Sequence, residues 1–116
     1  MNNNDKNKFK NISTQELKER KAQILRSLPS MDHVIRGSLI TRPIKCGKPN
    51  CRCATGDGHP SLYLSSFYHG YTHLDYVPVK FESWMREGLE NYVVIQDLLA
   101  ELTELNLELF RRREID

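Results

Sequence analysis

Three cysteines and a histidine stand close together in Cys46-Gly-Lys-Pro-Asn-Cys51-Arg-Cys53-Ala-Thr-Gly-Asp-Gly-His59. The spacing is C-x4-C-x-C-x5-H, a set of soft and borderline donors that suits a tetrahedral Zn²⁺ ion. With Cys46, Cys51, Cys53 and His59 all bound, no position is left open for catalysis, so the expected site is structural. In an extended backbone Cys51 and Cys53 point to the same side, as joint coordination requires. Asp57, His69 and His73 are the other candidates for the fourth ligand. The competing readings are three free or buried thiols, or a Cys46–Cys51 disulfide with Cys53 spare. An odd number of cysteines in a chain with no apolar leader segment favours metal over disulfide and points to the cytoplasm.

A second pattern surrounds the first. Between His33 and Gly56 there are five basic residues, Arg36, Arg42, Lys45, Lys48 and Arg52, and no carboxylate. Phosphate binding is one reading, and compensation of the negative charge of a Cys₃His zinc centre is the other. Tyr68 and Tyr71 flank a tight turn, where they either stack on bases or simply stabilise a hairpin. No nucleophile elbow, phosphate loop, H-E-x-x-H helix or paired-carboxylate cleft is present, and the chain reads as a non-enzyme.

Elements that hold these residues can be read from the pattern around them. The chain has 116 residues, enough for one domain. Its longest apolar run, Tyr92 to Ile95, is far short of the roughly 20 residues that cross a bilayer. Residues 1–11 are polar and Asn/Lys-rich and read as a disordered arm; the single domain then covers 12–116. Ser13 and Glu16 form a capping box. From there Leu17, Ile24, Leu25 and Leu28 recur at helical spacing until Pro29, giving a helix over 13–28. A zinc and β region follows over 33–78. Val34 to Ile40 reads as a strand closed by Pro43. Two apolar runs on either side of His69-Gly70 read as a hairpin with a type I′ turn.

In that register Tyr63 faces Tyr76, Ser65 faces Leu74 and Phe67 faces Thr72, and this face is expected to be the core. On the other face Leu62, Leu64 and Val77 lie near the base, with Tyr68 and Tyr71 toward a solvent-facing tip. Residues 79–113 read as one long helix, with Gly88 as its weakest point.

Along that helix Ile95, Leu98, Leu102, Leu105 and Leu109 make a heptad seam. Charge separates the two halves of the chain: residues 1–60 carry a net +7 and residues 61–116 a net −5. An antiparallel pairing of the basic first helix with the acidic last one accounts for both the seam and the asymmetry. The alternatives are a homodimer or a protein partner docked on the seam. The overall expectation is an α+β fold: an N-terminal helix, a three-stranded antiparallel sheet with a zinc-stapled loop, and a long C-terminal helix.

Arg36-Gly37-Ser38-Leu39, Cys46-Gly47-Lys48-Pro49-Asn50-Cys51-Arg52-Cys53-Ala54, His59-Pro60 and Tyr76-Val77-Pro78 together resemble an uncharacterised family of small bacterial and archaeal proteins. This is a domain of unknown function met near transposase and other mobile-element genes. The resemblance runs from about Arg36 to the stretch 101–107. The family pattern has His-Gly-Pro where this chain has His59-Pro60. A non-catalytic module associated with DNA mobility is what the resemblance implies; the basic residues make nucleic acid one candidate partner, and the short apolar runs predict no membrane span.

Overall fold

Ser13 accepts a hydrogen bond from the Glu16 backbone N–H at 3.1 Å, and the Glu16 carboxylate accepts from the Ser13 N–H at 3.3 Å. This reciprocal cap starts helix α1, Thr14–Ser27, and Leu28 ends it in an extended conformation ahead of Pro29. The structure is a computed structural model that describes residues 8–44 and 59–115. Strands β1 (Ser38–Ile44), β2 (His59–Tyr68) and β3 (Tyr71–Tyr76) follow, then a 3₁₀ turn, Val79–Phe81, and helix α2, Glu82–Arg111. The fold is the expected α+β arrangement, with the sheet antiparallel in the order β1-β2-β3. Two compact units emerge, one formed by Met1–Pro29 with Val93–Asp116 and the other by Ser30–Tyr92.

In the first unit Leu98, Leu105 and Leu109 of the leucine seam are packed from within the chain. Leu17 and Ile24 of α1 form one buried cluster with Leu105 and Leu109 of α2 and with Phe9, and Ile12 and Leu98 pack against it. Each such side chain contributes about 1.5–3 kcal/mol by leaving water. The partners run antiparallel. Arg112 donates to the carbonyls of Phe9 and Ile12 at 2.9 and 2.8 Å and to Thr14 Oγ1 at 3.2 Å, while Arg20 pairs with Glu101 a few turns away. Lys8 joins Glu104 at 2.9 Å. Phe9, within the stretch read as a polar arm, is buried, and residues 8–11 form a turn that holds it there.

In the second unit the hairpin register is as expected, with Tyr63↔Tyr76, Ser65↔Leu74 and Phe67↔Thr72. His69 and Gly70 both have positive φ, 53° and 85°, as a type I′ turn requires. The expected core face is overturned. Leu64, Ser66 and Val77 are the buried positions, whereas Phe67, Leu74 and Tyr76 are 43–59 % exposed.

The reason lies in the stretch before β1. Val34 and Ile35 do not join the strand, which begins only at Ser38. They lie beside Leu64 and Ser66 instead, lining a hollow with them, and Ile35 is tied to α2. Trp84, Gly88 and Asn91 form one stripe of that helix. His33 stacks on Trp84 at 4.4 Å and donates from Nε2 to its carbonyl, Ile35 donates its N–H to the Gly88 carbonyl at 3.0 Å, and Asn91 donates to the His33 carbonyl at 2.8 Å. Gly88 leaves α2 unbroken. Its missing side chain makes room for Ile35, whose Cδ1 would lie 2.7 Å from a Cβ at that position. Gly37 is just as constrained, since a Cβ there would meet the Ser65 carbonyl oxygen at 2.7 Å.

Two measurements check these contacts. Gly88→Val forces Ile35 away from α2 and is expected to destabilise the protein by about 1–3 kcal/mol in urea unfolding. Ile35→Ala should relieve much of that loss, and equal costs of Gly88→Val in both backgrounds would show that the two do not touch.

The second measurement concerns pH. Arg20 holds the Glu101 carboxyl below its usual range by direct hydrogen bonds and charge. Arg20 stays charged throughout, so only Glu101 titrates. Its contribution is complete above the ordinary glutamate pKa and lost as pH falls through the lowered folded-state value. Solvent screening keeps the contribution small. Glu101→Gln should flatten this part of the acid limb of the stability curve, and an unchanged limb would contradict the pairing.

Candidate nucleic-acid interface

Cys46, Cys51 and Cys53 lie outside the described residues, as do Lys45, Lys48, Arg52 and Asp57. Of the expected metal ligands, His59 alone is described. It is the first residue of β2, is exposed, and pairs across the ladder with Ile44, the last residue of β1. Chain departure and return are therefore side by side at the end of the sheet. Among the described residues no three His, Cys, Asp or Glu side chains gather as a metal set. Pro43 and Pro60 face each other one step further in, so two residues that lack an N–H are matched.

The expected nucleic-acid residues divide between the two faces of the sheet. Arg42 stands opposite Ser61, on the face that carries Tyr63 and Phe67. Tyr68 and Tyr71 pair directly at the hairpin tip on the other face. Tyr68 is engaged inside the chain: its ring stacks on His73 at 3.8 Å, and His73 Nε2 donates to the Tyr68 carbonyl at 3.2 Å. Tyr71 is 72 % exposed. Arg36 and Tyr68 come together around a hollow of about 340 Å³ that Asp75 also lines. Among the described residues neither Arg36 nor Arg42 has an ion-pair partner.

Alternation alone assigns Tyr63, Phe67 and Tyr76 to the interior and so misses the exposed face they form. Tyr63 and Tyr76 meet edge to face at 5.6 Å. At Tyr76 the face borders an apolar hollow of about 380 Å³ lined by Val77, Pro78, Phe81, Trp84 and Met85. Asp75 is the only carboxylate of the three strands, and it stands on the opposite face from Arg42. The signal for this surface is in the alternation of β2 and β3, but both faces of the hairpin carry apolar residues. Only the position of residues 33–37 decides between them.

No curated protein and no solved structure matches the chain. A family match covers residues 14–87, taking in α1, the whole sheet and the first turns of α2. On a match over more than half its length, this chain belongs to the family described as Domain of unknown function (DUF6788).

Proposed function

We propose that the protein is a small, non-catalytic, zinc-binding accessory module of the cytoplasm that binds nucleic acid, working with transposases and other mobile-element machinery. The observation that carries the nucleic-acid reading is the exposed sheet face. Its strands present Arg42 and no carboxylate, and Arg42 belongs to the half of the chain, residues 1–60, that holds a net +7. Part of that excess is used internally, by Lys8 on Glu104 and Arg20 on Glu101. Arg36 and Arg42 remain exposed for phosphate.

Zinc fits the same reading through the loop that the sheet closes. Ile44 and His59 are cross-strand partners, so an ion held by Cys46, Cys51, Cys53 and His59 would staple the segment at its base. That ion would supply structural cross-linking and no chemistry. The other reading, an adaptor or homodimer that docks along the C-terminal helix, has less support because Leu105 and Leu109 are already buried with Leu17 and Ile24.

Two outcomes are expected. Protein refolded with zinc should carry one ion per chain by metal analysis, and Cys51→Ser with Cys53→Ser should abolish it and lower the Tm; no bound metal, or an unmoved Tm, rejects the site. Affinity for a labelled oligonucleotide should fall steeply with salt. Replacing Arg42, Lys48 or Arg52 by Ala should weaken binding and reduce the log–log salt slope by about 1 for each phosphate no longer neutralised. Affinity indifferent to salt and to these residues would favour the adaptor.

A further inference from the structure

Globular sheets normally bury one face and present a polar one to water, yet here the exposed face is the aromatic one. Phe67 is 53 % and Tyr76 59 % exposed, with Leu74 between their rows and Tyr63 half-buried beside Tyr76. At the Tyr76 edge the surface continues into the hollow lined by Phe81 and Trp84, themselves 48 % and 52 % exposed. Lys80 lies there, its Nζ 5.1 Å from the centre of the Phe81 ring. Arg42 marks the β1 side.

We infer that this face, with the hollow beside it, is a stacking platform for single-stranded nucleic acid; this rests on the nucleic-acid reading above and names the form of strand that is bound. Bases lie on Phe67 and Tyr76, one base enters the hollow between Tyr76 and Trp84, and Arg42 and Lys80 meet the phosphates. Three observations select this occupant. Rings are exposed where an unstacked base can use them, and every base has a π-face, whereas a duplex hides its base faces. Tyr63 and Phe67 are four residues apart on one strand, about 13 Å, so bases on the two rows share an apolar floor at Leu74.

The third observation is composition. The strands of the face carry no carboxylate, Arg42 and Lys80 stand toward its base, where Glu82 is paired with Arg86, and Ser38, Ser61, Ser65 and Thr72 stand among its rings. Serine is depleted at protein interfaces, and Ser and Thr rarely anchor them. Hydroxyls beside rings do suit phosphate oxygens and base edges.

The full chain, loaded with zinc, is titrated into labelled oligo-dU, labelled oligo-U and a duplex, each of about 12 nucleotides. The single strands should bind more tightly than the duplex, and the better of the two identifies the sugar preferred. Phe67→Ala and Tyr76→Ala should each weaken single-strand binding by about fivefold or more. Ring-keeping Phe67→Tyr and Tyr76→Phe should stay within about twofold of the parent, with thermal melts showing that all four variants fold. Trp84 is the one tryptophan in the chain, and its emission should be quenched as a base enters the hollow.

Duplex bound as tightly as single strand, or Ala variants that bind like the parent, would overturn the platform and leave salt-dependent nucleic-acid binding standing. A dimer in sedimentation that both Ala variants convert to monomer would make the face a self-association surface and also overturn it. Failure of every oligonucleotide to bind at low salt would remove the nucleic-acid reading itself, and the platform with it.

Discussion

The approach of Ile35 to Gly88 governs the second unit. A helix backbone admits an isoleucine side chain this closely only where it has no Cβ, and the Ile35 N–H then reaches the Gly88 carbonyl. With His33 on Trp84 and Asn91 on the His33 carbonyl, the contact lays residues 33–35 along one stripe of α2. Val34 and Ile35 then stand beside Leu64 and Ser66. The covered face of the sheet is thereby chosen, and the opposite one is left to solvent. A glycine that reads as a weak point in a helix is the residue on which the orientation of the sheet depends.

Local signals are legible in the sequence, and long-range ones are not. The capping box at Ser13, the stop at Pro29, the hairpin register and the His69-Gly70 turn each depend on a few neighbouring residues, and each is found where the pattern places it. Leu105 and Leu109 on the inner stripe of α2 are equally plain, because a heptad repeats. The core face of the hairpin is open to misreading because Leu62, Leu64 and Val77 compete with Tyr63, Phe67 and Tyr76 on nearly equal terms. What separates them is a segment some thirty residues away. Phe9 escapes detection for a similar reason: one aromatic in a polar stretch carries no periodicity, and its burial depends on Arg112 holding the carbonyls of Phe9 and Ile12 from the far end of the chain.

Charge serves two purposes along this chain. Lys8 and Arg20 are matched by Glu104 and Glu101, which offsets part of the positive first half against the negative second half. Exposed pairs of this kind add little free energy, and Arg20 on Glu101 matches the antiparallel sense of α1 on α2. The arginines at and before β1 have no such partner among the described residues. Sequence arithmetic alone gives one number for both groups, and only the positions of the side chains separate cations paired within the fold from cations left exposed.

The first unit is assembled from the two ends of the chain, with Ser30–Tyr92 inserted between them. The ion pairs and carbonyl contacts between its two segments include ones that join residues 81 to 103 positions apart. In an unfolded chain, bringing such distant segments together carries a loop-closure entropy that no local contact repays early. The hairpin, closed by two turn residues, has no such cost. A folded inserted unit shortens the span to be closed relative to a random coil of its full length. The connectivity thus separates two kinds of contact: short-range pairing within the middle of the chain, and long-range pairing between its two outer segments.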